Sequence, residues 1–108
     1  MSSKWIDVCG ADDIDQEDVV RFDHAGQTYA IYRNEDGDKY YATDGLCTHE
    51  KVHLADGLVM GDIIECPKHN GRFNYTTGAP KGAPVCVALR MHEVRVHDDK
   101  VQLRVEHE

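Results

Sequence analysis

The chain has 108 residues, of which 20 are acidic and 12 basic, giving a formal net charge of −8. Such a chain is a poor partner for nucleic acid or an anionic membrane, because both repel negative charge. No apolar run approaches the length of a membrane span, and the N-terminus shows no secretion signal. We therefore expect a single domain over residues 1–108, cytoplasmic and monomeric, whose partners present basic surfaces.

The first half of the chain indicates short strands separated by turns. Four segments are rich in β-branched and aromatic residues, which favour strands; they are Trp5–Cys9, Val19–Asp23, Gln27–Arg33 and Lys39–Thr43. Ala25-Gly26 and the acidic segment around Gly37 supply the turn residues between them. This pattern predicts antiparallel strands joined by tight turns.

Two short stretches carry metal-ligand chemistry. Cys47 and His49 are separated by one residue, and Cys66 and His69 by two, with sixteen residues between the pairs. A strand-like run precedes each pair, so we expect the four side chains to converge from two loops. Structural zinc sites use the same residue types but group like ligands together, and a Cys47–Cys66 disulfide is a third reading. The spacing alone leaves these alternatives open.

The last third of the chain also predicts β structure. Ala79–Pro84 contains two prolines and must be a loop, since proline cannot join a central strand. Apolar residues then recur with a period of two, which marks a hairpin with one buried face; they are Val94, Val96, Val101, Leu103 and Val105. No sustained helical periodicity occurs, so we predict an all-β fold made of small stacked antiparallel sheets.

The cysteine and histidine pairs stand within a longer pattern that resembles Rieske-type iron–sulfur proteins. The further matching positions are Leu54–Gly57, Gly61-Asp62, Pro67, Gly71, Phe73 and Thr77-Gly78. In length the chain is most similar to small bacterial Rieske ferredoxins. The resemblance implies one [2Fe-2S] cluster per chain, with Cys47 and Cys66 on one iron and His49 and His69 on the other. It also implies a cluster-binding segment, residues from about 45 to 84, inserted at one end of the fold.

The resemblance also implies a function. A protein of this kind is not itself an enzyme but a one-electron carrier, which takes electrons from a flavin-dependent reductase and passes them to a terminal oxygenase acting on a small organic compound. The alternative is a regulatory or accessory subunit of the same fold, such as a redox sensor or a nitrite-reductase-like small subunit. Retention of all four ligand residues favours the carrier.

Other residues receive secondary predictions. His53 is expected at the surface or behind the ligands, and Cys9 and Cys86 as small buried residues. The remaining histidines are expected to be solvated; they are His24, His92, His97 and His107. By the resemblance, the loop containing Gly82, Ala83 and Pro84 covers the cluster. Gly71 and Phe73 replace hydroxyl residues that bond the cluster in high-potential relatives, which predicts a low reduction potential.

Overall fold

The computed structural model describes residues 2–48, 51–68, 71–82 and 87–107. Within these ranges the regular structure is almost entirely β, with two 3₁₀ helices at Ala11–Asp13 and Leu54–Asp56. The strands are β1 (Ser2–Gly10), β2 (Asp18–His24), β3 (Gln27–Arg33), β4 (Tyr40–Asp44), β5 (Leu58–Met60), β6 (Ile63–Glu65), β7 (Arg72–Asn74), β8 (Met91–His92), β9 (Val94–His97) and β10 (Lys100–His107). No described helix is long and apolar enough to cross a membrane.

The strands form three small antiparallel sheets, in the orders β1-β10-β9, β2-β3-β4-β8 and β5-β6-β7. The third sheet is built around the predicted ligand pairs. Strands β5 and β6 lie between the two pairs in the sequence, and β7 follows the second pair. The predicted all-β stack of small sheets is confirmed, and so is the placement of the ligand segment as a separate unit beside the larger sheets.

The sheet that contains β3 is the middle layer of this stack. Its position explains why β3 has an unbroken run of buried residues from Tyr29 to Tyr32. Successive side chains of a strand point to opposite faces. Ala30 and Tyr32 therefore enter the core shared with the β5-β6-β7 sheet, whereas Tyr29 and Ile31 enter the core shared with β10. A strand buried on both faces shows no apolar–polar alternation.

The turn between β2 and β3 follows the predicted chemistry. Ala25 and Gly26 both have positive φ angles, of 52° and 81°, as the tight hairpin turns that match strand twist require. The pair His24–Gln27 closes the ladder directly before this turn. The predicted turn is therefore present, and it joins β2 and β3 as antiparallel neighbours.

Two side-chain predictions in this part of the molecule are wrong. Val96 pairs with the buried Val101 but is 46% exposed, because β9 is an edge strand with little packed over its end. His92 is not a solvated histidine. Its Nε2 atom lies 2.7 Å from Asp44 Oδ1, and its ring meets the edge of Tyr29 with centroids 5.0 Å apart.

Candidate metal centre

The second predicted ligand pair lies on a hairpin loop between β6 and β7. Glu65 pairs with Arg72 at the end of this ladder, and the amide of Cys66 donates to the carbonyl of Gly71 at 2.6 Å. Four residues, 67–70, separate the bonded pair in the sequence and are called the tip of the loop; the structure describes Pro67 and Lys68 among them. The Cys66 side chain is 1% exposed, whereas Lys68 at the tip faces solvent. The loop therefore buries its cysteine and exposes its tip.

The first pair lies on a loop of the same construction. Beyond β4, Leu46 bridges to His53, and the Leu54 amide donates to the Gly45 carbonyl at 2.8 Å. The amide of Cys47 donates to the carbonyl of Val52 at 3.0 Å. Residues 48–51 are the corresponding tip in the sequence, of which the structure describes Thr48 and Lys51.

The two loops are equivalent at their bases. In each one the cysteine amide donates to the carbonyl five residues further along and encloses a four-residue tip. His49 and His69 belong to these tips but lie outside the described residues, so their role stays a prediction. Among residues that the structure describes, no group of three or more His, Cys, Asp or Glu side chains could hold a metal ion.

The two cysteines fit the sulfur half of an iron–sulfur site. Cys47 and Cys66 are 4% and 1% exposed and belong to the same hydrophobic core cluster. Thiolates are the ligands that iron–sulfur clusters take from proteins, and burial protects them from water. The donor chemistry of these residues therefore fits a cluster held between the two loops.

A third segment flanks both loops. The Lys81 amide donates to the Arg72 carbonyl at 2.8 Å, and Pro80 bridges to Phe73, so this segment runs beside β7. At its far end the Val87 carbonyl accepts a hydrogen bond from Thr48 Oγ1 at 2.7 Å. The exposed Gly82 belongs to this segment, and Ala83, Pro84 and Cys86 lie outside the described residues. Contacts on both sides are compatible with the predicted covering loop.

The sequence analysis placed His53 either at the surface or behind the ligands. It is 5% exposed, which contradicts the surface alternative. Its Nδ1 atom accepts from the Ala55 amide at 3.0 Å, which leaves the neutral ring a proton on Nε2 to donate to Thr28 Oγ1 at 2.8 Å. Thr28 Oγ1 in turn donates to Asp23 at 2.6 Å. Both ring nitrogens are thus occupied, and His53 anchors the returning limb of the Cys47 loop to β3.

The electrostatics around His53 agree with a neutral ring. Burial and the positive charge of Arg21 lower the pKa of His53 below its ordinary value, although Asp23 and Asp56 oppose this. The hydrogen bond from Thr28 and the neighbouring Arg21 lower the pKa of Asp23. The only signal in the sequence is a histidine directly before the 3₁₀ helix Leu54–Asp56, which does not reveal a partner on another strand.

Two glycines permit the close packing of this region. A Cβ atom on Gly57 would lie 2.1 Å from the backbone oxygen of Glu65, directly before Cys66. A Cβ atom on Gly45 would lie 2.5 Å from the Nε2 atom of His53. These residues let the Cys47 loop approach both β6 and the anchoring histidine.

Aromatic side chains form the floor under the cysteines. Phe73 is fully buried in the same core cluster, and Tyr32 stacks on Tyr75 with centroids 4.6 Å apart. The Tyr32 hydroxyl is hydrogen-bonded to Thr43. Burial, with Asp62 the next cause, raises the pKa of Tyr75 to about 12. These aromatic side chains are therefore uncharged at neutral pH.

The fold and the two loops define an iron–sulfur protein of the Rieske class, and comparison with known proteins agrees. Residues 4–98 match the family described as the Rieske [2Fe-2S] domain. The chain belongs to this family. The family, fold and [2Fe-2S] cofactor predicted from the sequence are thereby confirmed.

Similar proteins span the chain. Ferredoxin CarAc of Metapseudomonas resinovorans is 40% identical over 102 residues, covering 94% of this chain and 94% of that protein. The ferredoxin component of the naphthalene 1,2-dioxygenase/salicylate 5-hydroxylase systems of Ralstonia sp. is 38% identical over 106 residues, covering 98% and 100%. A chain in a solved complex of reduced oxygenase and oxidized ferredoxin in carbazole 1,9a-dioxygenase has a TM-score of 0.86 and 40% identity, covering 92% of this chain and 91% of that chain.

Proposed function

We propose that this chain is the ferredoxin component of a multicomponent oxygenase system. It accepts single electrons from a flavin-dependent reductase and delivers them to a terminal oxygenase, without being an enzyme itself. The observation that carries the proposal is the pair of buried cysteines, Cys47 and Cys66, each at the base of an equivalent loop. The similarity to ferredoxin components over almost the whole chain supports it.

We assign four ligands to the [2Fe-2S] cluster: Cys47 and Cys66 hold one iron, and His49 and His69 the other. When bound, the cluster supplies reversible one-electron chemistry. The protein keeps the cysteine side dry through its aromatic floor and exposes loop-tip residues such as Lys68 to solvent. Electron exchange with a partner therefore takes place at the loop tips.

We also propose one domain over residues 1–108, in the cytoplasm. Strand β1 pairs with β10 along its length, from Ser2 opposite His107 to Gly10 opposite Lys100. This pairing joins the two ends of the chain in one fold and supports the single domain. The similarity to ferredoxin components of bacterial dioxygenase systems supports the cytoplasmic location.

The ligand assignment is tested by iron and sulfide analysis of purified protein. We expect two irons and two acid-labile sulfides per chain, and loss of both in Cys66→Ser. Cys9→Ser is the matched control, because Cys9 packs on the other core cluster, and it should retain the cluster. Pulsed electron paramagnetic resonance of reduced protein should show two coordinated histidine nitrogens, one fewer in His49→Cys. Stoichiometric zinc in protein produced with ample iron would contradict the assignment.

The carrier role is tested by reconstitution. A reductase and a terminal oxygenase of the naphthalene type are assayed for substrate hydroxylation with and without this chain. We expect turnover to require the chain, and Cys66→Ser not to replace it. If the native protein accelerates no such oxygenase, the carrier role fails even though the cluster assignment stands.

A further inference from the structure

The negative charge of this protein is gathered at one end of the molecule. The 12–18 segment joins the 34–39 turn through a bond from the Glu17 amide to the Asn34 carbonyl, and Glu17 also accepts from the Gly61 amide. The β9–β10 turn joins the same end, because the Ala11 amide donates to Asp99 and Tyr40 donates to Ala11. We call this region the acidic end.

The acidic end accounts for the whole net charge of the chain. Its eleven acidic residues are Asp12, Asp13, Asp15, Glu17, Asp18, Glu35, Asp36, Asp38, Asp62, Asp98 and Asp99, and its three basic residues are Arg33, Lys39 and Lys100. The rest of the chain carries nine acidic and nine basic residues. Outside the acidic end the protein is therefore neutral.

The acidic end lies far from the loop tips, of which the structure describes Thr48, Lys51, Pro67 and Lys68. Strand β6 leads from the turn at Gly61 to Cys66, and β4 leads from Tyr40 toward Cys47. At about 3.3 Å per residue, Gly61 is about 16 Å from Cys66 along the extended chain. Physiological salt screens charges beyond about 8 Å. A molecule that docks on the loop tips is thus scarcely affected by the acidic end.

The loop tips themselves carry positive charge. Lys51 lies in the first tip and Lys68 in the second, and Lys81 is held beside the second by its backbone bond to Arg72. All three side chains are exposed, and none forms an ion pair with a residue that the structure describes. Arg72 is neutralised by Glu65 at 2.9 Å. The sequence places one acidic residue, Glu50, within the tips.

Apolar side chains accompany these lysines. Leu46 is 39% exposed next to Cys47, and Val87, bonded through its carbonyl to Thr48, is 58% exposed. Pro67 is exposed beside Cys66. An apolar patch rimmed by charge is the composition of a docking surface between proteins.

We propose that the loop tips form a cationic docking surface for an electron-accepting protein whose own docking site presents carboxylates. This assignment rests on the proposed electron-carrier function. It reverses the sign expected from the net charge, which predicts basic partner surfaces. The net charge describes the acidic end, whereas an electron must leave where a partner can reach the cluster.

The sign of the charge at the surface where the electron leaves the protein is measured with small redox-active ions. Reduced protein is mixed in a stopped-flow instrument with anionic ferricyanide, and each protein passes one electron to one ferricyanide, giving ferrocyanide. A cationic surface attracts the trianion, so we expect the rate to fall as ionic strength rises. Cationic cobalt hexaammine should show the opposite trend. A ferricyanide rate that rises with salt would overturn the proposal, because that response follows the net charge.

Charge-removing variants locate the surface. Lys68→Gln should slow the ferricyanide reaction about threefold at low ionic strength, as expected for one charge near the point of transfer. Lys39→Gln removes the same charge at the acidic end and serves as the matched control. Equal slowing in the two variants would show that only total charge matters and would overturn the proposal.

A second readout does not depend on electron transfer. An anionic gadolinium chelate added to oxidised ¹⁵N-labelled protein should broaden the amide signals of Lys81 and Val87 more than those of Gly37 and Gly61, and a neutral chelate should remove the difference. Equal broadening, or stronger broadening at Gly37 and Gly61, overturns the proposal. If the chain supports oxygenase turnover but fails these charge tests, the proposed function stands and the cationic docking surface is refuted. If it passes the charge tests but supports no turnover, the cationic surface stands and the carrier function is refuted.

Discussion

Replacement of His53 by leucine tests how the Cys47 loop is held. Leucine fills much of the same space but cannot accept the Ala55 amide at 3.0 Å or donate to Thr28 at 2.8 Å. Gly45 allows the ring to lie against the base of the loop, and Leu54 bonds back to the Gly45 carbonyl. The returning limb of the loop should therefore open more often in this variant.

The expected cost follows from these two hydrogen bonds. An unsatisfied backbone donor costs about 1–3 kcal/mol, and the bond to Thr28 contributes about 1 kcal/mol. The apolar leucine offsets about 1 kcal/mol of this by its own burial. The net local destabilisation is about 2 kcal/mol. At about 1.4 kcal/mol per factor of ten, the open population rises about thirtyfold.

Native-state hydrogen exchange measures this opening directly. The amides of Leu54 and Ala55 should exchange about thirtyfold faster in His53→Leu, while that of Leu103 in β10 should not change. Thr28→Val removes only one bond of the ring and should give about a fivefold increase, from about 1 kcal/mol. His97→Leu is the matched control, because that histidine is 58% exposed. An increase below threefold in His53→Leu would refute the anchoring role.

Three further outcomes are expected. The pKa of His53 is lower in the folded chain than its unfolded value of about 6.5, so the unfolded state binds the proton more readily between these values. The free energy of unfolding should therefore decrease as pH falls below about 6.5 and level off below the folded pKa, and denaturant titrations of His53→Leu should lack this component. Gly57→Ala should lose about 3 kcal/mol of stability, because its Cβ would lie 2.1 Å from the Glu65 oxygen; an unchanged denaturation midpoint would contradict that packing. Phe73→Tyr should raise the reduction potential in protein-film voltammetry from a value near the low end of the class range, about −150 mV, since a hydroxyl donor stabilises the reduced state; no upward shift would mean that the hydroxyl does not reach a sulfur.

The sequence was sufficient for the features that depend on neighbouring residues. Strand β3 has the predicted bounds, Gln27–Arg33, because its β-branched and aromatic residues are flanked by turn residues on each side. The Ala25-Gly26 hairpin follows from backbone preferences within a few residues. The family follows from the spacing of Cys47, His49, Cys66 and His69, since ligand spacing along a loop constrains the metal chemistry.

Features that depend on contacts between distant segments required the tertiary structure. Whether a histidine is buried depends on what another strand places opposite it. The sequence therefore left two positions open for His53 and gave His92 wrongly as solvated, whereas the structure locates Thr28 and Asp44 beside them. Val96 has the sequence pattern of a buried residue, yet it lies exposed because β9 is an edge strand.

The distribution of charge shows the same division most clearly. The sequence alone determined the net charge of −8 and the family, because the first is a sum and the second a local pattern along the chain. Only the tertiary structure decided where the charges lie. The hairpins place the acidic turns at one end and the cysteine loops at the other, and electrostatic interactions are screened over that distance. The surface that a partner meets is therefore decided by the course of the strands, whatever the total charge.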